Sequence, residues 1–330
     1  MKEEKLFSVI IIAYNRKEFI SRAIKSVLEQ TIDKNLYELI CVTNYDLETG
    51  HSGSPDIIYI KMDGSIGEFI QAGIEKSEGK FISLLEDDDE FESYKLDHIK
   101  EVLNYTDFDY YKDSMSIIDE NDNSIQRNVK NLQREKMNLE FIDSSYYNSN
   151  KKLKTTFQMR GVPSTLTFKK VKIMDMLENL CNIESEIGHY FYYRFVDRNL
   201  KLLLDNAILT RYRISSISDS SAMSPSDYIK VRRKYAERTL KTYELLIPEI
   251  KNQKILTIIQ YEESSFVTES YFLNYKKPSF HIFLKNVKFY LLSKKLIVSS
   301  VYILFDLLSY LIYPKFYYKG RYLIESRWKN

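Results

Sequence analysis

The run Phe7-Ser8-Val9-Ile10-Ile11-Ile12-Ala13 constrains the fold more than any other stretch of the chain. It carries no charge and is rich in β-branched residues, the pattern of a strand buried on both faces. Strands of that kind occur almost only in parallel sheets covered by helices. The residues that follow agree. Ile20, Ala23, Ile24, Val27 and Leu28 recur at helical spacing, with Asn15 expected to cap that helix. Leu36 to Val42 and Ile57 to Ile60 read as further buried strands, and Ile66 to Ser77 as a helix stopped by Gly79 at its C-cap. Phe81 to Leu85 is a fourth buried strand. This alternation predicts an α/β fold with a mostly parallel sheet and right-handed crossovers. Such sheets bind ligands beyond the carboxyl ends of their strands. The polar residues gather there: Tyr14-Asn15-Arg16, Thr43-Asn44, and Glu86-Asp87-Asp88-Asp89-Glu90.

Five consecutive carboxylates at a strand end repel one another. A bound divalent cation removes that cost, and hard oxygen donors suit Mn²⁺ or Mg²⁺. Such an ion would bridge the protein to a diphosphate and neutralise charge on a leaving nucleotide. The competing reading is a solvated acidic turn.

Beyond residue 105 the order is less regular. Residues 119–152 are polar and rich in Asn and Lys, as in a long loop or lid. Val162 to Phe168 reads as a strand, and Leu200 to Arg213 contains another with a turn near Asp205-Asn206. Ser224-Pro225-Ser226-Asp227 has a capping-box shape, with Pro at the first position of a helix reaching about Ile247.

Three segments together resemble the family 2 glycosyltransferases of the GT-A fold. Phe7 to Arg16 is similar to the family's opening strand, and Ser26-Val27-Leu28-Glu29-Gln30-Thr31 to the end of its first helix. Gly79 to Asp89 is similar to its glycine, strand and DxD segment. The match spans roughly the first 100 residues at compatible spacing.

The resemblance implies a GT-A domain over residues 1–220: a nucleotide-sugar-binding half (1–105) and an acceptor half (106–220). A helical extension (221–277) and a basic, apolar segment (278–330) follow. It implies that Ala13, Tyr14, Asn15 and Arg16 line the nucleotide pocket, with Asn44, Gly67, Glu86, Asp87 and Arg213 also contacting the donor. Asp88 would be the chief metal ligand, Glu86 would take the first DxD place near ribose or metal, and Asp87 and Asp89 would flank. Thr43-Asn44 stand where the family places acidic residues that hold the base, so the sequence does not name the base. Tyr212-Arg213 with Ser215, Ser216 and Ser218 is similar to the family's segment near the diphosphate. The family is similar again around Ile183-Glu184-Ser185-Glu186-Ile187-Gly188-His189, where a carboxylate would take the acceptor hydroxyl's proton. Glu186 is the expected base and Glu184 the reserve; a structural reading makes both helix-start acids. His189 would touch acceptor or phosphate, or serve structure alone. The QxxRW motif of processive synthases is absent, which points to transfer of one sugar.

The expected activity is therefore a metal-dependent, inverting transfer from a UDP- or GDP-linked donor to a glycan or polyprenyl-phosphate-linked acceptor. A nucleotidyltransferase is the enzymatic rival, but the Gly-rich phosphate loop that such enzymes place after the first strand does not occur. A non-catalytic, membrane-bound scaffold that kept the fold is the rival from another class.

Charge supports a membrane contact. The formal net charge of +2 combines +7 over residues 281–330 with −5 over the rest. A basic, aromatic end on an acidic body argues against a nucleic-acid partner and for an anionic membrane. Leu296 to Tyr313 is apolar apart from Asp306 and three serines, with Lys294, Lys295, Lys315 and Lys319 around it. Interfacial helices fit that composition better than a span with a central charge; packing on the catalytic domain or a homodimer contact are the alternatives. Cys41 and Cys181 are the only cysteines and no signal peptide is seen, so the expected location is cytoplasmic, peripheral on the inner face of the cell membrane.

Overall fold

The computed structural model describes residues 4–47, 57–125, 139–142, 161–214 and 225–273. Strand β1 (Phe7–Ala13) is buried at all seven positions, as its sequence requires. Helix α1 (Ile20–Leu28) buries Ile20, Ala23, Ile24 and Val27 in the same core as β1. Strands β2 (Tyr37–Thr43) and β3 (Ile57–Lys61), helix α2 (Ile66–Lys76) and strand β4 (Phe81–Glu86) follow. β1 pairs in parallel with both β2 and β4, and β2 in parallel with β3. The register sets Ala13 beside Thr43 and Ile12 beside Glu86, so the polar segments after these strands share one edge.

Two expected caps lie elsewhere. α1 opens after Phe19, not at Asn15, and Asn15 takes a left-handed backbone (φ 57°). α2 ends at Ser77 in extended backbone rather than at Gly79. Gly79 serves close approach instead: a Cβ there would sit 2.5 Å from the Phe7 carbonyl carbon and the Ser8 nitrogen. The start of α2 is a true capping box, Ser65 and Glu68 each receiving the other's N–H.

The remaining elements of this unit are β5 (Glu90–Phe91), α3 (Lys95–Tyr105), β6 (Tyr110–Ile118), β7 (Leu139–Ile142), β8 (Leu166–Lys169), α4 (Leu177–Leu180), α5 (Ile187–Asp197) and β9 (Leu202–Arg213). The sheet order is β3-β2-β1-β4-β8-β6-β9-β5, with β7 on β9. β8 runs antiparallel to β4 and β6, so a parallel first half passes into a mixed second half. The strand expected from Val162 begins only at Leu166, because Pro163 lacks an N–H for the ladder and opens a 3₁₀ turn. β9 continues through Asp205-Asn206 without a turn, and its register against β6 slips between Lys112 and Met115.

Ile214 ends the first compact unit. In the second, α6 (Pro225–Leu246) and α7 (Gln253–Leu273) form an antiparallel hairpin. Arg232 holds both carboxylate oxygens of Glu269 at 2.6 and 2.7 Å, and the Tyr243 hydroxyl donates to Glu262 at 3.0 Å. Among the described residues no helix is long and apolar enough to cross a membrane. The expected C-terminal membrane segment, the serines after Arg213 and most of the 119–152 stretch lie outside the described residues.

Candidate active site

Three loops meet at the shared edge, each held by a neighbour. After β1 the chain turns at Asn15, whose N–H donates to Asn44 Oδ1 at 3.0 Å while Asn44 Nδ2 donates to Asn15 Oδ1 at 2.7 Å. The Tyr45 hydroxyl donates to the Arg16 carbonyl. Tyr14 is 51% exposed, with its ring edge-on to Phe69 of α2 at 5.9 Å. Ala13 is the buried last residue of β1.

The acidic run is not a solvated turn. Asp87, Asp88, Asp89 and Glu90 are all buried. The Asp87 N–H donates to the Ile12 carbonyl at 3.2 Å, and the Glu86 N–H to the Ser164 hydroxyl at 3.0 Å. Arg16 reaches across with one nitrogen on Asp87 and the other 2.6 Å from Asp88 Oδ2. Burial works against the Arg16 charge, but Asp87 and Asp88 outweigh it and hold the guanidinium above its ordinary range. Burial pushes Asp87 up to about 7 even so, and Asp89 up to about 8 with Asp88 adding to it. Glu86 is raised well above a normal carboxyl by burial and by the charges of Asp89 and Asp88. The loop is short of positive charge.

A divalent cation fits that shortage chemically. The donors are hard carboxylate oxygens, and Asp87 Oδ2 is buried with no hydrogen-bond partner among the described residues. Among those residues no cluster of three or more His, Cys, Asp or Glu makes a closed cage. A cation at Asp88 and Glu86 would complete its shell with ligand oxygens, as a diphosphate supplies.

Arg213 is placed differently from expectation. It is fully buried, its Nε donating to the Asp88 carbonyl at 2.8 Å and its backbone N–H to Asp89 Oδ1 at 2.9 Å. Its terminal nitrogens go to Glu90, to Asp122 at 2.6 Å and to the Asp119 carbonyl at 2.7 Å. It lies over the Phe19 ring at 4.8 Å. These contacts brace the acidic loop.

Gly67 likewise does not line the edge openly. Its N–H donates to the Ile183 carbonyl at 3.0 Å, and a Cβ would lie 1.8 Å from the Leu180 carbonyl oxygen. Ser65 Oγ donates to the Cys181 carbonyl at 2.7 Å. These contacts dock the segment before Glu184 onto the start of α2. That start follows β3 by a few residues and so lies at the carboxyl edge. α5 agrees, since its far end leads through Lys201 into the amino end of β9. Glu184 and Glu186 therefore stand on the same edge as the acidic loop. Glu186 has left-handed backbone (φ 57°), a strained state for a non-glycine residue that lacks the local bonding of Asn or Asp. Its carboxylate lies 2.9 Å from His189 Nδ1.

Several residues at this edge carried no sequence signal. Tyr45 and Ser164 are ordinary polar positions until the fold places them. Lys95 is wholly buried, with Asp113 at 2.8 Å, the Ser164 carbonyl at 2.8 Å and Thr210 Oγ1 at 2.9 Å. In sequence it is one lysine among many.

Comparison with known proteins agrees with this fold. Residues 8–171 match the family model described as glycosyl transferase family 2. A curated relative, an uncharacterized glycosyltransferase of Rickettsia conorii, is 31% identical over 133 residues, 37% of this chain. The chain spans 21% of that relative's length. Among solved structures, S. aureus TarS superposes with a TM-score of 0.51 at 14% identity, over 82% of this chain and 43% of TarS. TarS 1–349 in complex with UDP-GlcNAc gives 0.53 at 13% identity, over 86% of this chain and 88% of that one. At such identity the likeness is one of fold. Through residues 8–171, this chain belongs with the family 2 glycosyltransferases of the GT-A fold.

Proposed function

We propose that this chain is an inverting, non-processive, metal-dependent glycosyltransferase that moves one sugar from a UDP- or GDP-linked donor to a glycan or polyprenyl-phosphate-linked acceptor. The observation that carries the reading is the buried acidic loop bridged by Arg16, beside the paired Asn15 and Asn44, at the carboxyl edge of the sheet. The TarS complex with UDP-GlcNAc makes a uridine donor the first to test.

In this reading Tyr14 offers its exposed ring to the base, and Asn15 and Asn44 meet ribose or base. Asp88 and Glu86 hold Mn²⁺ or Mg²⁺, which supplies positive charge to the leaving diphosphate when bound. Arg16 turns from its carboxylates to a phosphate oxygen. Glu186, with Glu184 in reserve, takes the acceptor hydroxyl's proton as the oxygen bonds to the anomeric carbon and the nucleoside diphosphate departs. Residues 1–220 form the catalytic domain, with donor half 1–105 and acceptor half 106–220, and 221–277 a helical extension. The segment 278–330 rests on the inner face of the membrane or joins two copies.

The test is calorimetric titration of UDP and GDP with and without Mn²⁺, on the wild type and on Asp88→Ala. The wild type should bind one of them in a metal-dependent way, and Asp88→Ala should lose that dependence. Equal binding by both proteins would remove Asp88 and the acidic loop from the donor site.

A further inference from the structure

Lys112 is a buried ammonium for which neither the fold nor the reaction above has a use. It is 9% exposed, and Nζ donates to a single acceptor among the described residues, the Asp113 carbonyl at 2.9 Å. An ammonium carries three donors, and one so buried ordinarily pairs with a carboxylate. The nearest carboxylate is occupied: Asp113 points to the opposite face of β6, where Lys95 and Thr210 engage it at 2.8 and 2.7 Å. Burial lowers the Lys112 ammonium to about 8, in keeping with the lack of a full partner.

Its place in the fold says what it can meet. Alternation along β6 puts Lys112 on the same face as Tyr110, which packs on Phe195 and Tyr192 of α5. That is the helix whose first turn follows Glu186. Lys112 pairs across the ladder with Leu166. A Cβ on Gly161 would come within 2.4 Å of Lys112 Cε and 2.5 Å of Thr165 Oγ1, so a side chain there would push the tip of the lysine aside. Gly161, Val162 and Pro163 form a half-buried rim, and the next residue, Ser164, receives the Glu86 N–H. The ammonium thus lies on the helix α5 side of the sheet, one short turn from the acidic loop.

We propose that Lys112 reads the transferred sugar of the donor, its two remaining N–H groups donating to hydroxyl or acyl oxygens of that sugar. The inference rests on the donor reading above, because a diphosphate at Glu86–Asp88 places the sugar as the next group along the donor. The oxygens of an acceptor saccharide share this chemistry, and binding of intact donor without acceptor separates the two.

The experiment is calorimetry with Mn²⁺ on the wild type, Lys112→Met and Gly161→Ala, using UDP, GDP and a panel of UDP- and GDP-sugars. For the wild type at least one nucleotide sugar should bind tighter than its nucleoside diphosphate. Lys112→Met conserves length, and it should lose that sugar-dependent gain, about 10–100-fold for hydrogen bonds from a charged donor, while binding the nucleoside diphosphate unchanged. Gly161→Ala should erode the same gain by displacing the lysine. The proposal is overturned if no sugar adds affinity in the wild type, if Lys112→Met keeps the full gain, or if it loses the nucleoside diphosphate as well. If the wild type binds neither nucleoside diphosphate, the donor reading itself fails, and the two failures are distinct.

Discussion

Gly67→Ala should uncouple the two halves of the candidate site. The added methyl would fall 1.8 Å from the Leu180 carbonyl oxygen and 2.9 Å from that of Ile183, where ordinary contact begins at 3.4 Å. The shortfall at Leu180 is therefore 1.6 Å, and the obstacle is backbone, which cannot rotate aside. Either α2 shifts or residues 180–183 withdraw, and the Gly67 N–H to Ile183 bond of 3.0 Å stretches with them. Overpacking costs about 1–3 kcal/mol and a lost hydrogen bond about 1 kcal/mol, so a loss of roughly 3 kcal/mol is expected. For a unit of this size that lowers Tm by about 6–12 °C. Because Glu184 and Glu186 follow directly, a displacement of ~1 Å should also lower kcat about 100-fold, with nucleotide binding nearly intact. Gly73→Ala is the control: it meets the Ile10 side chain at 2.5 Å and should cost stability without moving the glutamates. Melting curves and UDP-release rates on both variants decide the matter. A Gly67→Ala protein that melts and turns over like the wild type would refute the argument.

Glu186→Gln should keep nucleotide binding and lose turnover by about 10²–10⁴-fold; unchanged turnover would move the base to Glu184 or elsewhere. Arg213→Met should destabilise by about 2–4 kcal/mol in urea titration, below the full cost of a broken buried pair because Arg211 still holds Glu90 at 2.6 Å. A change under about 0.5 kcal/mol, the usual range of a surface substitution, would sink the bracing role. His98 bonds Asp205 at 2.8 Å, and that hydrogen bond raises its pKa above the ordinary 6.5. Its stabilisation is full below that ordinary value and fades as pH rises through the raised one. The Tm gap between wild type and His98→Gln should therefore be wider in mild acid than at alkaline pH, and a gap that widens with pH would contradict the pairing.

The first half of the sheet was legible because hydrophobicity alone specifies it. β1 to β4 fall within a residue or two of the apolar runs, since a strand buried on both faces leaves little else for those residues to be. The acidic loop was legible because its charge demanded an explanation. The misplacements share a different cause. Asn15, Gly79 and Gly67 are residue types with several uses, and only tertiary neighbours (Asn44, Ser8 and Leu180) select among them. Arg213 and Lys112 were opaque for the same reason. A cation's partners can lie far off in sequence, as Asp88 does from Arg213 at a separation of 125 residues. β5 is only Glu90–Phe91, and β6 carries Lys112, Asp113, Ser114 and Ser116 within nine residues, too much polarity to read as a strand.

The two arginines divide the work at the acidic loop, and their difference in burial bears on the proposed chemistry. Glu90 is matched by Arg211 and Arg213, and the Arg213 side chain has no exposed surface from which to exchange partners. Among the described residues, Asp87 and Asp88 are instead bridged by the guanidinium of Arg16. Its side chain remains 24% exposed and hangs from the loop after β1 rather than from a strand. A fixed cation sets the shape of the loop, while a cation that can turn away leaves Asp87 and Asp88 free to accept another. Under the proposed reading, a divalent ion and a diphosphate would arrive together, bringing positive charge to the carboxylates and negative charge to the arginine. Neither group would lose a partner in that exchange. Under that reading the cation would offset the burial that raises Glu86, Asp87 and Asp89, which is why the run would be receptive to it.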